Sequence, residues 1–335
     1  MVAPTRNLGR NGPKVSAIGL GLMGMSIFYN APPSDEQMFE ALDKAIEEGC
    51  TFWDSSDFYG DNSERLQRYF AARPGAREKV FLATKVSNWW NADGSIGMRS
   101  DPEYIREAGD KVLKRLGLPY VDLLYLHRAD PKVPIEHSVS ALAEYVKAGK
   151  AGAIGLSEVS AATIRRAHAV HPLAAVQVEY SAFSLDIETN GVLDACGELG
   201  IAVVAYSPVS RGFLTGEIKT RNDFGPKDLR GMLPRFNEEN FPKNLEVVQK
   251  LAEGAKKRGV TTTQFALAWL LAQGDNVIPI PGTTKASRVA ENFGATKITV
   301  TAEEDKEIRD ILATISGSRY PAMMASSLYV DTAEP

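Results

Sequence analysis

Short runs of apolar residues alternate with longer stretches whose apolar positions recur every three or four residues, and this alternation fills most of the chain. Residues 6–16 come first, with Gly9 and an Asn11-Gly12 pair between short extended runs; they predict a hairpin that plugs one end of the domain. The first core strand is predicted over 15–20, running into Gly19-Leu20-Gly21-Leu22-Met23-Gly24. Ser34 then opens a helix reaching Glu48, with Gln37 placed for a capping box and Phe39, Leu42, Ala45 and Ile46 at helical spacing. Further strands are predicted over 51–54, 80–86, 121–126, 153–156, 175–178, 201–205 and 277–280. Helices are predicted between them over 63–72, 102–116, 135–148, 161–170 and 191–199. An irregular excursion over 207–240 precedes helices at 245–258 and 262–272, and helices at 287–293 and 302–312 end the pattern.

The predicted strands are short, continuous and apolar, as in parallel sheets buried on both faces. Eight β-α units without a break most economically close into a (β/α)8 TIM barrel. A doubly wound open sheet carries the same alternation and is the rival architecture. No Gly/Ser-rich linker, low-complexity tract or solenoid period divides residues 1–335, so the simplest organisation is one barrel domain with an N-terminal hairpin, an extra C-terminal helix and a tail over 317–335. That tail is polar and irregular, free to cover one face of the barrel.

Composition narrows the function classes. A net charge of −4 offers no basic stripe for phosphate neutralisation, which argues against nucleic acid as a partner. Two cysteines, Cys50 and Cys196, make no disulfide framework and read as small buried hydrophobes in a reducing compartment. No apolar run approaches a membrane span and the start MVAPTRNLGR lacks the core of a signal peptide, so a soluble, cytoplasmic protein is expected. Four histidines, His127, His137, His168 and His171, give no pair with compelling ligand geometry, which disfavours a metal-dependent hydrolase.

In a barrel the site lies at the C-terminal strand ends. Asp54 ends the second strand in TFWDSSDFYG, followed by the polar loop Ser55, Ser56, Asp57 and Gly60, with Tyr59 five residues on. Lys85 sits among apolar neighbours in FLATKV, where an unpaired ammonium is costly. His127 ends the fourth strand in DLLYLHR, Gln177 lies within the sixth, and Tyr206 ends the seventh. Singly, each has an ordinary reading: a loop-capping Asp, a solvent-seeking Lys, a structural His, a core Tyr. Together they converge on one mouth. The chemistry that fits is proton donation to a carbonyl during hydride attack. A phenol near pKa 10 is a weak acid, and Lys85 is expected to bring Tyr59 down toward working pH while Asp54 keeps Lys85 charged. His127 would hydrogen-bond the substrate carbonyl, and the hydride must come from a nicotinamide.

These residues resemble an aldo-keto reductase, from Gly19 to about Asn292, and most closely the fungal and microbial branch with D-S-S-x-x-Y-G, I-G-L-S-E and I-P-G-T texts. The resemblance implies a (β/α)8 barrel, NADPH/NADP+ as cofactor, a small-molecule carbonyl substrate, and a tetrad of Asp54, Tyr59, Lys85 and His127. It further implies that Ser157 and Gln177 bind the nicotinamide amide and that Tyr206 stacks on its ring. Glu158 stands where the family usually has Asn, which removes the ordinary basis for a second amide contact. Ser207, Arg211, Gly212 and Leu214 resemble the loop over the pyrophosphate.

The turn Ile280-Pro281-Gly282-Thr283-Thr284-Lys285 followed by a helix makes an anion site of free N–H groups. There Gly282 and Thr283 form the turn, Lys285 and Arg288 would pair with an adenosine 2′-phosphate, and Glu291 and Asn292 would contact adenine. Those cations favour NADP over NAD. No Gly-x-Gly-x-x-Gly follows a strand, so a Rossmann site is not indicated. Met23, Phe28, Tyr29, Phe58, Trp89 and Trp90 either pack beneath loops or line a pocket for an apolar or aromatic aldehyde. The family also includes pyridoxal reductases and slow, channel-associated regulatory subunits. The second class has no need of the acid that the intact tetrad supplies.

Overall fold

In the computed structural model, residues 3–29, 31–225, 228–322 and 327–335 are described. The strands are β1 (Thr5–Asn7), β2 (Lys14–Ser16), β3 (Leu20–Gly21), β4 (Phe52–Asp54), β5 (Phe81–Val86), β6 (Asn88–Trp90), β7 (Ile96–Met98), β8 (Val121–Leu126), β9 (Ala151–Ser157), β10 (Ala175–Glu179), β11 (Ala202–Tyr206) and β12 (Val277–Pro279). The helices are α1 (Asp35–Glu48), α2 (Asn62–Ala72), α3 (Pro102–Leu116), α4 (Ile135–Lys147), α5 (Ala161–Val170), α6 (Val192–Leu199), α7 (Asn240–Lys257), α8 (Thr262–Ala272), α9 (Ala286–Gly294) and α10 (Ala302–Leu312).

Eight strands form one parallel sheet in the order β12-β11-β10-β9-β8-β5-β4-β3. The sheet closes on itself. Gly19 N–H donates to the Pro279 carbonyl at 2.9 Å, Gly21 N–H to that of Pro281 at 3.2 Å, and Gly21 bridges Gly282 in parallel. This is the (β/α)8 barrel, and closure rules out the doubly wound alternative. Glycine is required at the seam. A Cβ on Gly19 would lie 2.6 Å from the Phe52 carbonyl oxygen, and one on Gly21 2.8 Å from that of Ile280.

The first barrel strand is therefore two residues long and starts later than the apolar pattern implies. Residues 14–16 pair instead with β1, in the register Thr5↔Ser16. Leu8 and Val15 of this hairpin are buried with Phe52, Ala83, Leu123, Tyr125, Ala175, Val204 and Ile278, the inward residues of the barrel strands, so the hairpin plugs the barrel floor. A second cluster lies between the strands and the surrounding helices. Ser34 caps α1 as its text predicts: its hydroxyl accepts from Gln37 N–H, and the Gln37 side chain accepts from Ser34 N–H at 3.1 Å. The excursion over 207–240 contains short 3-10 turns, and α7 begins at Asn240, five residues before the expected start. The β6–β7 hairpin escaped the sequence pattern because only three residues pair on each side. No helix among the described residues is long and apolar enough to cross a membrane.

The tail is stitched over the end of β9. Val330 bridges Val159, its N–H donates to the Glu158 carbonyl at 2.9 Å, and its own carbonyl accepts from Ser160 N–H at 3.1 Å.

Candidate active site

Parallel register places Asp54, Lys85, His127, Ser157, Glu179 and Tyr206 at or just past the C-terminal ends of β4, β5, β8, β9, β10 and β11. Lys85 is fully buried. Its ammonium donates to Asp54 Oδ1, to the Ser55 carbonyl at 2.9 Å and to the Tyr59 hydroxyl at 3.3 Å. Asp54 Oδ2 accepts from Gln177 Nε2 at 2.8 Å, so both carboxylate oxygens are occupied. The His127 ring stands edge-on to Tyr59, with centroids 5.8 Å apart. Its Nδ1 lies 3.1 Å from Ser56 Oγ. Loop 55–60 makes this possible by folding back across β5: Ser55 N–H donates to the Ala83 carbonyl and Asp57 N–H to that of Lys85.

Electrostatics follow from burial against charge. Burial lowers the Lys85 ammonium, but Asp54 and then Tyr59 outweigh it, so the group is held charged above its ordinary value. For Tyr59 the expected direction is reversed. Burial raises the phenol above 10, and Lys85 offsets only part of that while Asp54 pushes it further up. Tyr59 is thus a phenol that keeps its proton at neutral pH. Because its oxygen accepts from Lys85, that proton is free to point elsewhere. His127 is driven well below 6.5 by burial, reinforced by Arg128 and Lys85, and is neutral.

The other sequence-singled residues divide. Ser157 Oγ accepts from Arg128 Nη1 at 3.1 Å, which leaves its own O–H to give. Gln177 is buried and donates one amide N–H to Asp54, steadying that carboxylate. In the segment after β11, Ser207, Ser210, Arg211 and Gly212 have φ of 49, 47, 56 and 89°, while Leu214 is buried. Three of these four are non-glycine residues in a sparsely populated backbone region. Arg211, expected near the phosphates, has protein partners of its own. Its guanidinium is turned inward, donating to the Tyr320 hydroxyl at 2.6 Å and lying 3.4 Å from Glu179. Thr283 Oγ1 accepts from Lys285 N–H at 3.1 Å and shapes the Gly282 turn at the start of α9. Lys285 is exposed, Glu291 half-buried and Asn292 buried. Arg288 is paired with Glu217, from the loop that follows β11.

A family model described as the aldo/keto reductase family matches residues 17–313. The chain belongs to the aldo/keto reductase family. Aldo-keto reductase yakc [NADP(+)] of Schizosaccharomyces pombe is 47% identical over 99% of this chain and 98% of its own. Aldo-keto reductase str7 of Strobilurus tenacellus is 45% identical over 100% and 99%. Among solved structures, the glycerol dehydrogenase AKR11B4 of Gluconobacter oxydans superposes with a TM-score of 0.84 at 28% identity, covering 96% of this chain and 99% of that one. The aldo-keto reductase Tm1743, solved with the inhibitor epalrestat, gives 0.73 at 29% identity over 92% and 99%.

Against the aldo/keto reductase pattern, Glu158 now has a definite place. It is fully buried with φ of 55°. Arg319 of the tail grips its carboxylate in a bidentate pair at 2.8 and 3.1 Å. The Tyr206 hydroxyl donates to Glu158 Oε1 at 2.9 Å and Glu179 N–H does so at 3.0 Å. Burial alone would raise this carboxyl, but the Arg319 charge outweighs it and holds it below the ordinary range. Glu158 therefore anchors the tail and the Tyr206 ring. Arg128, Glu179, Arg319 and Tyr320 were not legible as site residues. Arg128 directly follows His127 in the same strand-end text, whereas Arg319 meets its partner from 161 positions away and carries no local signal. Glu158→Gln keeps the acceptor oxygen but removes the charge opposite Arg319. It is expected to lower stability to urea by about 2 to 3 kcal/mol and to speed proteolysis within 317–335, read by intact mass.

The aromatic residues also separate. Phe28, Phe58 and Trp90 form a cluster with centroid spacings of 6.0, 5.8 and 4.7 Å, and Phe58 meets the His127 ring at 6.1 Å. Trp90 is 46% exposed, at the rim. Trp89 turns the other way, against Tyr104 at 5.3 Å, and packs beneath its hairpin. Tyr29 lies under the Arg230 guanidinium, and Met23 opens the 3-10 turn Met23–Met25 right after β3.

Proposed function

We propose that this aldo/keto reductase is an NADPH-dependent reductase of aldehydes, aromatic ones foremost, and of some ketones. The observation that carries the reading is the buried chain Asp54–Lys85–Tyr59 with the neutral His127 ring beside it. A bound dihydronicotinamide supplies hydride to the carbonyl carbon. On the protein side, His127 donates a hydrogen bond to the substrate oxygen and polarises the carbonyl. Tyr59 hands its proton to that oxygen as charge develops there. Lys85 makes the transfer easier, since its ammonium favours the phenolate left behind. Asp54 keeps Lys85 charged and, through both oxygens, fixes it and Gln177.

The donor set suits NADP+. Ser157 has a hydroxyl proton to give to a carboxamide, Tyr206 presents a ring held by Glu158, the turn 281–285 opens α9, and two cations stand there, Lys285 at the N-cap and Arg288 in the first turn. The S. pombe relative, whose name carries NADP(+), supports the same choice. The apolar cluster Phe28–Phe58–Trp90 favours a flat apolar substituent on the carbonyl.

Incubation of the protein with NADPH and 4-nitrobenzaldehyde, with the alcohol identified by mass spectrometry, tests the reading; one alcohol formed per NADPH consumed, over many turnovers, is expected. Binding of NADPH without turnover on any aldehyde would favour a regulatory subunit instead. Arg288→Ala is expected to weaken NADPH by about 10- to 100-fold, as for loss of a charged hydrogen bond, while leaving NADH within about threefold. Fluorescence titration with both nucleotides checks it, and equal losses would remove the 2′-phosphate assignment.

A further inference from the structure

A neutral imidazole carries one proton, and the nitrogen that holds it decides whether the pocket meets a donor or an acceptor. His127 Nε2 makes no hydrogen bond among the described residues, in a residue that is 8% exposed, while Nδ1 faces Ser56 Oγ at 3.1 Å. Ser56 is 1% exposed, so its hydroxyl must find its partners within the protein. One lone pair is taken by Phe58 N–H, which donates to it at 3.2 Å. Its proton has three possible acceptors: His127 Nδ1 at 3.1 Å, Asp57 Oδ1 at 3.3 Å and the Lys85 carbonyl at 3.4 Å.

Two arrangements satisfy these contacts. In one, Ser56 donates to Nδ1 and the imidazole proton sits on Nε2, facing the pocket. In the other, Nδ1–H donates to Ser56, which must then send its own proton over one of the two longer contacts, and Nε2 presents a lone pair. The first uses the shortest contact and gives Oγ one donor and one acceptor. The second makes Oγ accept twice and donate over 3.3 Å or more. Only the first leaves a donor where a substrate oxygen would sit.

We propose that Ser56 is a positioning residue for the reaction: by donating to His127 Nδ1 it fixes the imidazole in the tautomer whose Nε2–H faces the substrate oxygen. This rests on the reading of His127 as a hydrogen-bond donor. If Asp57, the competing acceptor, takes the Ser56 proton, the only hydrogen bond left between Ser56 and His127 has Nδ1–H as donor, which makes Nε2 an acceptor. The D-S-S text therefore supplies a tautomer lock as well as the carboxylate that precedes it.

The experiment is long-range 15N–1H correlation of the imidazoles in 15N-labelled protein at pH 7.5, where four histidines give four patterns and a His127→Gln sample assigns one of them. Wild-type His127 is expected to show a protonated Nε2 and an unprotonated, hydrogen-bonded Nδ1. In Ser56→Ala the Nδ1 signal is expected to move to that of an unbonded or exchange-averaged nitrogen. Its kcat on 4-nitrobenzaldehyde should fall about tenfold, short of the loss for a whole oxyanion donor, with NADPH affinity within about twofold. Ser56→Thr, which restores the hydroxyl, should recover the wild-type pattern. A wild-type spectrum with the proton on Nδ1, or a Ser56→Ala spectrum identical to wild type, overturns the proposal. A shifted spectrum with unchanged kcat upholds the lock and counts instead against the donor role of His127.

Discussion

Replacement of Tyr59 by Phe is expected to lower kcat for aldehyde reduction by about 10²- to 10⁴-fold, the range for loss of a positioned general acid. The fold should survive, because the ring stays packed against His127 at 5.8 Å and the lost hydroxyl accepts only one hydrogen bond, from Lys85 at 3.3 Å. Lys85 keeps its other two partners, Asp54 and the Ser55 carbonyl, so no buried charge is stranded. NADPH affinity within about twofold of wild type, by fluorescence quenching, completes the expected result. Turnover near the wild-type rate would move the acid elsewhere.

Lys85→Met has the second large effect, and on two quantities at once. It leaves the Asp54 carboxylate 2% exposed and facing no cation, held only by the Gln177 amide. Breaking a buried pair from one side costs about 3–5 kcal/mol, so the urea midpoint should drop sharply. Activity should fall as well, since the phenol then loses the one neighbour that most strongly favours its deprotonated form. The double variant Asp54→Asn with Lys85→Met separates the two effects. Removing both charges should recover most of the stability while activity stays low. Recovery of activity along with stability would reduce the pair to a structural role.

Much of the fold was legible because each barrel strand is a run of apolar residues bounded by polar turns. What failed did so for local reasons. Val15 looks like core, and is, but it belongs to the hairpin that plugs the floor and not to the wall. The first wall strand is only Leu20–Gly21, preceded by Gly19; at both glycines the seam leaves no room for a Cβ, and glycine carries no strand signal. In the site, strand ends brought Asp54, Lys85 and His127 to one mouth, while the charge arithmetic did not survive inspection of burial. An ammonium 3.3 Å away is not enough to bring a buried phenol below its ordinary value when Asp54 sits behind it. The partners of Arg211 and Glu158 were not legible for one shared reason: Tyr320 and Arg319 lie in the tail, whose irregular polar text gives no sign of where it docks.

That Tyr59 holds a proton through neutral pH and delivers it to the carbonyl is tested most directly by the pH dependence of the single-turnover rate of the NADPH-loaded protein with an aromatic aldehyde. Burial raises this phenol and keeps His127 neutral. The rate should therefore be level from about pH 6 to 9 and fall only above about pH 10, where an ordinary phenol is already half ionised. Asp57, pushed up to about 7 by burial, is the neighbour that titrates in between, and Asp57→Asn removes it. A rate that falls around pH 7 to 8 in both wild type and Asp57→Asn would contradict a protonated Tyr59 as the donor.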